Sequence, residues 1–67
     1  MAIPIEHLKY YMNVESYQYF RVGPDNEIFL AKVIAVDEKN KTVTLELKNG
    51  KVSIVKKIDL IIEVIIK

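Results

Sequence analysis

The sequence has no cysteine and no tryptophan, a single histidine, and only two glycines and two prolines in 67 residues. Without thiols, neither a disulfide nor a zinc–thiolate cluster is available to staple so small a chain. His7 is the one imidazole, so a metal site would need carboxylates alone, and no group of them is spaced to converge. Scarce glycine and proline, with 51% apolar residues, exclude a disordered or fibrous chain. Charge of one sign is lacking too. Ten Lys and Arg stand against nine Asp and Glu, a formal +1, which is neither a basic tail nor an acidic mimic. No stretch approaches the ~20 apolar residues of a membrane span. Met1-Ala2-Ile3-Pro4 has neither the basic nor the apolar region of a signal peptide. The expectation is a cytoplasmic protein with no membrane contact, no cofactor and no metal.

What is present is a short chain with a clear change of period. A domain of this size buries only roughly 60% of the surface its unfolded chain exposes. Self-association is therefore the stabilising device left open to it. Ile5, Leu8 and Met12 recur at helical spacing after Pro4, which suits a first turn, and predict a short helix over 4–12. From Val14 the period becomes two, a strand over 14–22. Val14, Ser16, Gln18, Phe20 and Val22 lie on one face, and Glu15, Tyr17, Tyr19 and Arg21 on the other. Gly23-Pro24-Asp25-Asn26 marks a reversal. Residues 28–36 are apolar on both faces, as in a bent strand serving both sides of a small barrel.

The later hairpins can be argued by register. Residues 42–48 alternate, with Val43, Leu45 and Leu47 inward. A four-residue loop, Glu38 to Lys41, pairs Val36 with Val43 and Ile34 with Leu45, whereas a five-residue loop puts the apolar faces out of phase. Asn49-Gly50 suits a type I′ turn, whose two central residues need positive φ. That turn pairs Leu47 with Val52 and Leu45 with Ile54, leading into a strand over 51–56, and sets Lys48 against Lys51. After a turn at 57–60, β-branching at five of the seven positions 60–66 favours a strand over 61–66. These elements describe one mostly β domain over 1–67, a small five-stranded SH3-like antiparallel barrel with a short N-terminal helix.

Two families are similar to parts of this pattern. The stretch Asp25-Asn26-Glu27-Ile28-Phe29-Leu30-Ala31-Lys32-Val33-Ile34 resembles the second strand of Tudor domains. The likeness runs on through Val43-Thr44-Leu45-Glu46-Leu47, Asn49-Gly50 and Val55-Lys56-Lys57-Ile58-Asp59-Leu60. The aromatic pair of that family begins here with Ile28, and its Tyr-Gly turn is replaced by Lys48-Asn49-Gly50. The resemblance therefore implies the barrel without a cage for methylated side chains. A helix before five strands also resembles the Sm-like layout, with Leu47-Lys48-Asn49 and Val55-Lys56-Lys57-Ile58 near its second motif. That likeness implies RNA binding and ring assembly.

Three groups of residues carry the functional expectations. With a five-residue first loop (23–27), Phe20 pairs with Leu30 and Phe29 lies outside opposite Arg21. Tyr17, Tyr19, Arg21 and Phe29 then share an outer face, where rings stack on bases and a guanidinium holds phosphate. Partly buried tyrosine beneath the N-terminal helix is the other use of these rings. Charge is segregated as well. Residues 39–57 hold Lys39, Lys41, Lys48, Lys51, Lys56 and Lys57 against Glu46 alone, a sum of +5. Lys48, Lys51, Lys56 and Lys57 are placed to meet phosphates, although lysine also keeps hairpin tips and sheet edges soluble. Ile61, Ile62, Val64, Ile65 and Ile66 form either core or a homo-oligomer contact.

Nothing here points to chemistry. His7 beside Glu6 has no partner in view, Asp37-Glu38 opens a turn, and Ser16 and Ser53 have no accompanying base. The expectation is a non-enzymatic binding module for single-stranded RNA or DNA, or alternatively a protein-interaction or homo-oligomer-forming module.

Overall fold

A computed structural model describes residues 3–50 and 52–65 of the chain. Its one α-helix, α1 (Ile5–Tyr11), starts after Pro4, whose extended ψ of 147° sets the entry angle. Seven residues are too few for a helix to stand alone in water, and the tertiary structure supplies what propensity cannot. Leu8 is fully buried, Ile5 and Tyr11 pack beside it on the core, and α1 lies against β2. The exposed pair Lys9–Glu38 ties the helix to the β2–β3 turn, a contact worth little at the surface.

The five strands are β1 (Gln18–Val22), β2 (Glu27–Asp37), β3 (Thr42–Leu47), β4 (Ser53–Lys57) and β5 (Ile61–Ile65), with a 3₁₀ turn, Ile58–Leu60, before β5. Every pairing is antiparallel and the order across the sheet is β4-β3-β2-β1-β5. Mostly β structure, five antiparallel strands and one short N-terminal helix agree with the sequence expectation. The sheet, however, is open and not a closed barrel. The 3₁₀ turn carries the chain from the β4 edge to the far side of β1, and no ladder joins β4 to β5. Strand β1 is also shorter than its alternation suggests, since Val14–Tyr17 precede the ladder.

The core lies on one face of the sheet. Phe20, Val22, Ala31, Val33, Val43, Leu45 and Ile61 point into it from four strands, and Leu8 and Ile58 close it from the helix and the 3₁₀ turn. Phe20 is the largest fully buried side chain and meets Tyr11 edge-on, with ring centroids 6.0 Å apart.

One irregularity sets which residues reach that core. The second hairpin has the expected loop, 38–41, with Val36 opposite Val43 and Asp37 opposite Thr42. Beyond it, Ile34 is an extra residue, so Val33 and not Ile34 faces Leu45. A one-residue bulge reverses the parity of everything before it. Ala31 and Phe29 consequently turn inward, and Ile28, Leu30 and Lys32 outward. The first loop is therefore 23–26, and Phe20 pairs with Phe29 instead of Leu30, while Arg21 faces Ile28. Asn26 makes the tight loop possible by adopting φ +57°, a left-handed conformation that asparagine tolerates.

The remaining turns follow local chemistry. Leu45 pairs with Ile54, and the Leu47 N–H donates to the Val52 carbonyl at 2.7 Å, as the register argument requires. Gly50 has φ +80° but Asn49 is not left-handed, so the turn is not type I′. At 37–41, Asp37 Oδ1 accepts the Lys39 and Asn40 N–H groups at 3.0 and 3.1 Å, and Oδ2 accepts the Asn40 amide at 2.8 Å. These donors, the Asn40 N–H foremost, hold the Asp37 carboxyl below its ordinary value of 3.8. A depressed carboxyl stabilises the fold above its unfolded pKa, and that contribution disappears as pH falls through the lower folded value. Asp37→Asn is expected to remove this part of the acid dependence. The check is the urea midpoint of both proteins followed below about pH 4, where the wild type should lose ground to the variant.

Candidate binding groove

Of the four residues expected on the outer face, Tyr17, Tyr19 and Arg21 lie there and Phe29 does not. Tyr17 lies before β1, donates its hydroxyl to Glu46 Oε1 at 2.9 Å, and has the Lys32 ammonium 5.7 Å from its ring centroid. The carboxylate beside it raises the tyrosine pKa above its ordinary 10.0. This ring and these charges link the start of β1 to β2 and β3, where Lys32 and Glu46 are direct cross-strand neighbours. Tyr19 stays on the outer face, opposite Leu30 and Ile65. Arg21 is engaged by Glu63, Nε to Oε1 at 2.8 Å, directly across β1 and β5. Phe29 is taken out of the cluster by the bulge and packs against the core.

The lysines do not converge either. Lys48 follows β3 at one end, and Lys57 faces Thr42 at the other. Six residues separate Lys48 from Thr42 along the chain, about 20 Å at strand rise. Lys56 is half-buried on the inner side opposite Val43, and Lys51 lies outside the described residues. Of the isoleucine-rich segment, Ile61 is fully buried within the chain's own core and Val64 packs on it opposite Phe20. Ile62 is half-buried at a β5 bulge, Ile65 is half-buried opposite Tyr19, and Ile66 lies outside the described residues.

Two of the expected residues do meet, at a place the sequence did not suggest. Strand β2 continues back to Glu27 beside β1, whereas β3 ends at Leu47 and turns away at 48–50. The Lys48 N–H donates to the Leu30 carbonyl at 2.9 Å and closes the ladder there. Past that point the two chains separate and leave an open groove of about 570 Å³, lined by Ile28, Phe29, Leu30, Leu47, Lys48 and Asn49. Its walls are apolar and its polar groups come from Lys48 and Asn49, a composition typical of small binding clefts. Ile28 is 52% exposed at its edge, although a residue of this kind normally loses water on folding. Sequence reasoning missed Ile28, Leu30, Leu47 and Asn49 as a group. An apolar pair straight after a polar turn was visible, but the divergence of β2 from β3 was not.

Among the described residues, no group of three or more His, Asp or Glu is placed to hold a metal, and no helix is long and apolar enough to cross a membrane. No protein-family model, curated protein or solved structure matches the chain.

Proposed function

We propose that this protein is a non-enzymatic interaction module that holds an apolar side chain of a partner protein in the groove between the start of β2 and the β3–β4 turn. The observation that carries this reading is the groove wall itself: three aliphatic side chains and one half-buried ring, with Ile28 left exposed at the rim. The strand order, with β5 returning beside β1 after a 3₁₀ turn, supports an SH3-like reading of the open sheet, the architecture that Tudor and Sm-like domains share. Nucleic acid fits the site less well. Arg21 is paired, Tyr17 is bonded, and Lys48 sits at the opposite end of the hairpin from Lys56 and Lys57, so stacking and phosphate contacts are not brought together.

The test uses backbone NMR of the labelled protein with two probes. One is a set of acetylated, amidated hexapeptides with a single central leucine, phenylalanine or tryptophan; the other is a ten-nucleotide uridine oligomer. The peptides are expected to shift the amides of Ile28, Phe29, Leu47 and Asn49. Ile28→Lys should weaken that binding at least tenfold, about 1.4 kcal/mol, without unfolding a residue already half in water. Shifts produced by the oligomer alone, centred on the lysines and erased by moderate salt, would overturn the reading in favour of nucleic acid.

A further inference from the structure

The hydrogen-bond parity of the β3–β4 hairpin determines what its outer edge offers. In an antiparallel pair, residues alternately direct their N–H and C=O groups toward the partner strand and away from it. The Leu47 N–H donates to the Val52 carbonyl and the Ile58 N–H to the Lys41 carbonyl. Residues 52, 54, 56 and 58 therefore face β3. Ser53, Val55 and Lys57 direct their backbone N–H and C=O groups away from the sheet, where β4 has no neighbouring strand. The opposite edge is treated differently: the Ile3 N–H donates to the Ile61 carbonyl at 3.0 Å, so the N-terminal segment covers the start of β5.

The side chains along this free edge add a charge requirement. Val55 is 63% exposed on the outer face. Lys57 follows it on that face, and Lys56 lies between them on the inner face. Among the described residues the ion pairs are Lys9–Glu38 and Arg21–Glu63, so neither lysine of β4 is neutralised by one. Glu46, the one carboxylate in residues 42–57, lies opposite Ser53 and accepts the Tyr17 hydroxyl. An edge with two uncompensated cations disfavours neutral strands and second cationic strands, and favours a strand that brings carboxylates.

We propose that β4 accepts an extended, acidic segment of a partner protein as a sixth, antiparallel strand. Antiparallel addition sets the order of the partner's residues: acidic opposite Lys57, acidic opposite Lys56, then apolar opposite Val55. The three outward N–H groups and three outward carbonyls supply the main-chain bonds, and the lysines select the sequence. This inference is independent of the groove, which lies on the other side of β3.

The experiment uses the full chain and two acetylated, amidated octapeptides, one with a central Glu-Glu-Val and one with Lys-Lys-Val. Amide hydrogen exchange is followed residue by residue. The Glu-Glu-Val peptide is expected to slow exchange at Ser53, Val55 and Lys57 at least tenfold, with no new protection at Ile54 or Lys56, which already bond inward. The Lys-Lys-Val peptide should leave all five unchanged. Val55→Pro is the decisive variant, because proline is tolerated where an edge N–H faces solvent but cannot donate to an added strand. It should abolish the protection. Should it fail to fold, Lys56→Glu combined with Lys57→Glu must reverse the preference toward the Lys-Lys-Val peptide.

Equal effects of the two peptides, or protection confined to the groove residues, overturn the proposal; the latter supports the groove reading on its own. Stronger binding of the uridine oligomer than of the acidic peptide at β4 also overturns it. So does light scattering that shows a dimer lost on Val55→Pro, since the edge would then serve a second copy of the chain.

Discussion

Replacing Phe20 with alanine is expected to remove a large share of the protein's folding stability. Phe20 is fully buried: its solvent exposure is 0%, and its strand is flanked by both β2 and β5. Removing a buried phenylalanine costs about 3–5 kcal/mol, transfer and cavity together. A 67-residue domain has a total stability of roughly 3–10 kcal/mol on the usual per-residue scale. One side chain is thus comparable with the whole margin, because so small a core has no second layer to absorb a cavity. Urea melts followed by far-UV circular dichroism provide the check. A loss below about 1 kcal/mol, ordinary for a surface site, would show that the inner face is not packed around this ring.

Leu8→Ala is expected to release the helix before it unfolds the sheet. Leu8 is the one residue of α1 that is fully buried, and its truncation costs about 2–5 kcal/mol. The helix has seven residues and no side-chain cap at its start. It cannot persist once undocked, since an isolated helix below about 12 residues is marginal in water. Hydrogen exchange separates the two outcomes: amides of α1 should exchange freely while those of Val33 and Leu45, in the central ladder, keep protection. Uniform loss across β1, β2 and β3 would instead show that the helix is part of the same cooperative unit as the sheet.

Much of the fold was legible because its signals are local. Helix α1 follows from Pro4 and the Ile5–Leu8–Met12 spacing, and β3 from the alternation of residues 42–47. The 38–41 loop follows from matching the two apolar faces, since a slip of one residue would turn β3 inside out. The Ile-rich end reads as a strand because β-branched residues crowd a helix, and it is one. The bulge at Ile34 was hidden for a specific reason. Residues 28–36 are apolar at every position but Lys32, so the parity of β2 rests on that one charge, and the large aliphatic residues Ile28, Leu30, Ile34 and Val36 on the same face as Lys32 outweigh it in a local reading. The same ambiguity misplaced Phe29 on the outer aromatic face.

The candidate sites divide along the same line. Composition and spacing pick out lysines on the β3–β4 hairpin, but the distance between Lys48 and Lys57 is a property of strand length and register. The pairing of Arg21 with Glu63 joins residues far apart in the chain, and no local pattern announces it. The groove arises where two strands part, which depends on how β2 is shared between β1 and β3.

By itself the sequence determined the element types, their order, the register of the β3–β4 hairpin, the loop but not the full register of the β2–β3 hairpin, and the absence of thiol chemistry, because each depends on neighbours within a few residues. The tertiary structure alone decided which face of β2 meets the core, that the sheet stays open, and that β4 presents a free edge while β5 is partly covered. Those outcomes depend on one extra residue in a ladder and on contacts between distant segments, whose balance is set only when the whole core is packed.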